Sequence, residues 1–358
     1  MKMELYTDGN LDGLRQQTDQ LADEAVRILM SNTELIDMIN AWEKIPDLLP
    51  ENFPKVLHKL ISIYREIPPM VNPGKVKLAQ DFFEKNGSLY LALLGFYSLP
   101  ICYAYEDGAR VLIKSKRIME EPGIRLAETA LFVLDAFRPG NFLQESNLLS
   151  LLKVRLIHAF SRYFIQKYVR DWVPGWGQPI NQEDLLGTNL AFSLIITRGF
   201  RKLNKTVTLD QADAVLHYWK IIGHYLGLNV DFWPENPKEA FALEKMIRKR
   251  HLRPSAHGKV LMASLLNYYR ASVVNPALAG IAEDLVCYFV GMEGSKALGI
   301  HKNISLPTGL YGLMLQFGLF NQQGKMSTYS ALRRQFTINA ENQFGQVVSL
   351  NLPIQKRS

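Results

Sequence analysis

The sequence predicts an all-α protein, on three observations. Apolar residues recur at three- and four-residue spacing along almost the whole chain, strict alternation is scarce, and Pro and Gly gather in short clusters between the periodic stretches. The periodicity predicts helices over 14–30, 33–44, 54–65, 75–85, 88–99, 107–116, 123–137, 145–170, 181–202, 208–227, 237–250, 257–271, 276–290 and 307–318, with ends uncertain by about two to four residues. Thr33, Asn181 and Thr208 each stand where a first helical turn needs a side-chain acceptor. Pro68-Pro69, Pro139-Gly140, Val173 to Pro179 and Trp233 to Pro237 mark the breaks. No repeat, linker or shift in composition divides the chain, so a single domain over 1–358 is expected. From about 325 on the sequence reads as an irregular tail, with Phe336-Thr-Ile-Asn and Val347-Val-Ser-Leu-Asn-Leu as short strands or draped chain.

A chain of 358 residues buries enough surface to need no disulfide or metal staple. Cys102 and Cys287 both lie in apolar runs, which predicts buried, reduced thiols. The first thirty residues mix acidic and polar groups without an apolar core behind a basic start, so no secretory signal is read and a cytoplasmic location is expected. The uncharged stretch 87–105 approaches membrane-spanning length, but its glycines, serines, tyrosines and Pro100 favour a core helix that Pro100 ends. Shallow peripheral membrane contact stays open. The net charge of +7 raises nucleic acid as a partner. Its densest source, Lys245 to Arg253, lacks the aromatic interleaving of single-strand binders, so this segment reads as a solvated helix end and no nucleic-acid partner is expected.

The chemistry concentrates in the run Leu148 to Ile165, apolar enough to be buried on most sides. Arg155, His158 and Arg162 stand at i−3, i and i+4 on one stripe of that helix. Two buried guanidinium groups beside an imidazole require a facing anion, because an unpaired buried charge costs several kcal/mol. Two sources fit: carboxylate side chains elsewhere in the chain, or a cofactor carrying carboxylates. Haem offers both an iron for a neutral imidazole and propionates for arginine. Some thirty residues earlier Arg125, Glu128 and Thr129 share a face of another apolar helix, either as an intrahelical ion pair with an exposed threonine or as a functional group. His217 and His224, seven apart on one face, lack a third ligand, and no metal is expected there.

The ordered set Arg125-x-x-x-Thr129, Val154-Arg155-Leu156-Ile157-His158-Ala159-x-x-Arg162, Gly175-Trp-Gly-Gln-Pro-Ile-Asn-Gln-Glu-Asp-Leu-Leu-Gly-Thr188 and Leu216-His-Tyr-Trp to Gly227 resembles the catalytic domain shared by rubber oxygenases (latex clearing proteins) and MpaB-type oxygenases. The resemblance runs over about 95–230. It implies a globin-like helical core and haem b, with His158 as the proximal ligand of the haem iron. It also implies that Arg155 and Arg162 surround that histidine, and that Arg125 and Thr129 line or brace the pocket. Rubber oxygenases carry a lysine directly before the threonine; here Glu128 stands in its place, where it either pairs with Arg125 or serves as a base.

The expectation is therefore a haem-dependent oxygenase acting with dioxygen on an apolar, isoprenoid or unsaturated lipid molecule, with Glu128, Arg125 and Thr129 as catalytic candidates. Polyisoprene itself is disfavoured by Glu128 and by the absent signal. Two rival readings are a non-catalytic haem carrier or sensor, and a cofactor-free helical lipid-binding protein. The last requires carboxylates inside the protein to neutralise Arg155 and Arg162.

Overall fold

The computed structural model describes residues 2–114, 120–140, 145–272, 280–302, 311 and 328–353; the helix expected over 307–318 lies largely outside them. The described helices are, in chain order, α1 (Asp8–Arg15), α2 (Gln20–Ser31), α3 (Glu34–Asn40), α4 (Lys55–Ser62), α5 (Pro73–Leu93), α6 (Leu99–Ala104), α7 (Glu106–Lys114), α8 (Pro122–Ala136), α9 (Glu145–Tyr168), α10 (Gln182–Phe192), α11 (Leu194–Lys202), α12 (Leu209–Tyr225), α13 (Pro237–His251), α14 (Ala256–Ser272), α15 (Ile281–Leu298) and α16 (Tyr329–Phe344). No strand occurs among the described residues, where pairing is limited to an isolated antiparallel bridge between Tyr105 and Leu252. The all-α expectation holds.

Two helix pairs organise the core. α12 lies against α5, and α9 lies between α2 and α8. Trp219 of α12 is fully buried and donates through Nε1 to Tyr90 Oη of α5 at 2.9 Å, so this buried indole also has its polar atom satisfied. Phe137 stacks on Phe83 at 4.5 Å and on Tyr218 at 4.6 Å, locking the end of α8 to the same pair.

Three local expectations need correction. Pro100 does not end the helix: α5, a π-helical turn over Leu94–Ser98 and α6 run on continuously from Pro73 to Ala104. A proline lacks the N–H that would bond four residues back, and the wider π turn absorbs that loss. This helix is long and apolar enough to cross a membrane, but 78% of its most apolar stretch is buried in protein. Thr33 makes no capping hydrogen bond, whereas Asn181 and Thr208 each form a reciprocal capping box, with Asp184 and Gln211. The tail expected to be irregular from about 325 contains α16. Its Tyr329 donates to Leu134 O at 2.7 Å and its Arg333 to Asp135 at 2.7 Å, so docking onto α8 fixes a helix that its sequence marks weakly.

Candidate active site

α8 and α9 pack side by side and turn Arg125, Glu128, Thr129 and His158 toward a cavity of about 900 Å³. Apolar side chains, among them Phe132, Val154, Ile157, Phe192 and Trp219, make most of the wall. A chamber of this size and character suits a substantial apolar ligand.

His158 is half-buried on that wall, and its Nδ1 is shielded from solvent with no hydrogen-bond partner. Burial, with help from the nearby charges of Arg162 and Arg125, pushes its pKa from the usual histidine value down to about 4. The imidazole is therefore neutral at physiological pH, the form that ligates a metal. Among the described residues no cluster of His, Cys, Asp and Glu forms a metal site from protein ligands alone. An iron at His158 would have to bring most of its own coordination.

On α8, Arg125 donates to Glu128, and Thr129 donates from its hydroxyl to Arg125 O at 2.9 Å. The intrahelical pair is real, yet it is not a solvated one. Glu128 is buried, and all three side chains line the cavity. The threonine is not exposed but half-buried on the cavity wall.

Arg155 and Arg162 correct the sequence reading. Neither lines the cavity. Arg155 forms a bidentate pair with Asp19 at 2.5 and 2.9 Å, and Arg162 donates to Asp23 at 2.6 Å. The stripe's counter-charge within the chain thus comes from Asp19, the N-cap of α2, and Asp23 one turn on, the first of the two sources the sequence offered. Gly227, at φ +83°, lets the chain pass this pair: a Cβ there would collide with the Asp19 carboxylate. Among the described residues the arginine and lysine that line the cavity are Arg125 and Lys114, the latter paired with Asp171 at 2.7 Å.

Sequence reasoning missed the charged end of the chamber. The segment 245–253 is a solvated helix end only in part: Lys245, Lys249 and Arg253 are exposed, but Arg248 pairs with Glu244 and Arg253 with Glu106. Arg250 reaches Glu183 at 2.7 Å, Asp12 at 2.7 Å and Asp8 at 2.8 Å. His251 is buried between Asp107 at 3.2 Å and Glu183 at 3.0 Å, and Arg15 of α1 reaches Asp107 at 3.0 Å and Glu183 at 3.3 Å. His251, Glu183 and Asp184 all line the cavity. Burial lifts Asp184 to about 6 against the pull of Arg15 and His251. For His251 burial works downward, but the two flanking carboxylates prevail and raise its pKa. The Glu183-Asp184 pair stood in the sequence inside the Gly175 to Thr188 string, but its partners lie far away in the chain.

Of the other histidines, His217 accepts from the backbone N–H of Asn72 at 3.1 Å, and His224 lies beside a separate polar cleft bordered by Asp19 and Arg155. Cys102 and Cys287 are free thiols, as expected; Cys102 borders the main cavity, and burial pushes its pKa up to about 12.

Comparison with known proteins identifies the fold and the family. A rubber oxygenase of Streptomyces sp. (strain K30) is 24% identical over 304 residues, spanning 79% of this chain and 71% of its own. The structure of latex clearing protein LCP in the closed state superposes with a TM-score of 0.68 at 20% identity over 90% of each chain, which establishes a shared fold. The sequence profile described as "ER-bound oxygenase mpaB/B'/Rubber oxygenase, catalytic domain" matches residues 91–307, a span that takes in α8, α9 and the charged cluster on α10 and α13. The chain therefore belongs to the mpaB/B' and rubber oxygenase catalytic-domain family, a family of oxygenases.

Proposed function

We propose that this oxygenase is haem-dependent, with His158 as the proximal ligand and an apolar molecule, of isoprenoid or unsaturated lipid character, as substrate. One observation carries the reading: a neutral imidazole, with a buried nitrogen that no protein atom satisfies, on the wall of an apolar chamber. A histidine placed there without a partner is costly unless something else binds it. Haem, when bound, supplies the activation of dioxygen.

The residues of the chain then have distinct tasks. His158 holds the iron, and Asp19 and Asp23 hold the helix that carries it, through Arg155 and Arg162. Arg125 and Lys114 offer positive charge to propionates. The apolar wall orients the substrate and excludes water. Glu128, fixed by Arg125 at the wall, is the carboxylate placed to take a proton from the substrate or return one, and Thr129 shapes the face beside it.

Haem titration of purified protein tests this. Wild type should show a saturable Soret band with histidine ligation, and His158→Ala should lose it or shift it; an unaltered spectrum in that variant defeats the assignment. Replacement of Glu128 by Gln should suppress isoprenoid-dependent oxygen uptake by two orders of magnitude or so while sparing the Soret band. One observation favours a second reading, a cofactor-free apolar-ligand carrier: Asp19 and Asp23 neutralise the two arginines with no cofactor's help. No Soret band on addition of hemin would select that reading.

A further inference from the structure

After Gly345 the chain leaves α16 and runs extended along the cavity through 346–353. Its burial alternates. Leu350 and Leu352 are 9% and 2% exposed and Val348 is half-buried, whereas Val347, Ser349, Asn351 and Pro353 face solvent. A period of two is that of an extended chain with one face on protein and the other in water. All of 346–353 borders the cavity, and the side chains that this stretch buries are apolar.

Little holds the strap in register. Among the described residues no backbone-to-backbone hydrogen bond joins it to the rest of the protein. Its anchor is Asn40 at the end of α3, whose amide donates to Leu352 O at 3.1 Å and accepts from Leu352 N–H at 2.8 Å, as a neighbouring strand would. The carbonyl of Asn40 in turn accepts from Nζ of Lys153, buried on α9 five residues before His158. The same two-point clamp fixes which faces point inward. A slip of one residue would bury Ser349 and Asn351 in place of the leucines.

We propose that Val348, Leu350 and Leu352 are substrate-contacting, specificity-determining residues, and that Asn40 sets their register, so that the strap fixes the longest apolar chain the cavity accepts. This rests on the proposed apolar substrate, not on haem. It makes the substrate a single molecule of bounded length, which a continuous polymer threading the chamber is not.

The test measures binding of tritiated geraniol, farnesol, geranylgeraniol and undecaprenol to the full-length protein, with and without added hemin, in wild type, Leu350→Ala, Leu350→Trp and Asn40→Ala. Wild type should bind up to one chain length and reject the next by at least about tenfold. Leu350→Ala should accept the first rejected prenol, Leu350→Trp should move the limit to a shorter one, and Asn40→Ala should blur it. Circular dichroism confirms that each variant is folded; if Asn40→Ala is not, the two Leu350 variants decide the matter. An identical length profile in both Leu350 variants, wild-type binding of undecaprenol as tight as that of farnesol, or no prenol bound at all would overturn the proposal. The Soret band, which none of these substitutions should alter, judges haem separately.

Discussion

Arg155 and Arg162 show what one residue type in the wrong surroundings reveals. Two guanidinium groups on a buried helix demanded an anion, and that demand was readable from spacing alone; its source was not, because Asp19 and Asp23 lie some 140 positions away in sequence. Their own spacing of four, on a helix with a strong apolar face, was the available signal. Asp19→Ala should strand Arg155 as a buried charge and cost about 3–5 kcal/mol in urea unfolding, whereas replacing both partners by apolar residues of similar volume should restore much of the loss. His251 makes a pH-dependent prediction. The native state holds its proton more tightly than the unfolded chain does, so the stability it contributes is complete below the ordinary histidine value and is lost as pH rises through the raised native one. The stability gap between wild type and His251→Gln should therefore narrow as unfolding is measured from about pH 6 to 9. The lowered Asp107 and Glu183 act in the opposite direction, contributing stability that fades in acid.

Elements were legible where periodicity and caps agreed. The capping box of Asn181 is a case in which a three-residue pattern placed the start of α10, and Asn181→Ala should cost about 1 kcal/mol in thermal unfolding. The same reasoning broke the α5–α6 helix between 85 and 88 and ended it at Pro100, which reads as a breaker, when the chain runs on through a π turn just before that proline. It also missed α16, whose apolar residues form no clean stripe; the helix is fixed by Tyr329 and Arg333 on α8 and by Leu332 packed close to Gly87. Tertiary contact, not local propensity, decides such elements. Gly227 ends the α12 turn with a left-handed φ in direct contact with the Asp19–Arg155 pair. Gly227→Ala should therefore destabilise by more than the roughly 1 kcal/mol expected from backbone strain alone, and should do so less when Asp19 is also truncated.

At the scale of the molecule, the cavity joins parts of the chain that sequence alone cannot bring together: α8 and α9 on one side, α10 and α13 at its charged end, and the strap after α16. The Arg125, Glu128, Thr129 and His158 group was legible because each helix carries its own spacing; Lys114 and His251 were not, because nothing local marks them, and the strap was legible as draped chain over Val347 to Leu352 but not as a border of the cavity. A ligand that binds only the folded state should raise stability by about 2.7 kcal/mol at a hundredfold excess over its Kd, so hemin should raise the melting temperature of wild type and leave His158→Ala nearly unmoved. The ion pairs of Arg250 have a further bearing, on biogenesis. Asp8 and Asp12 lie 242 and 238 positions ahead of Arg250 and meet its counter-charge only when position 250 has been made. Until then α1 can dock through Arg15 onto Asp107 and Glu183 but lacks the Arg250 contacts, so the polar end of the chamber is completed late in synthesis, and closure of so long a loop makes that completion a slow step in folding.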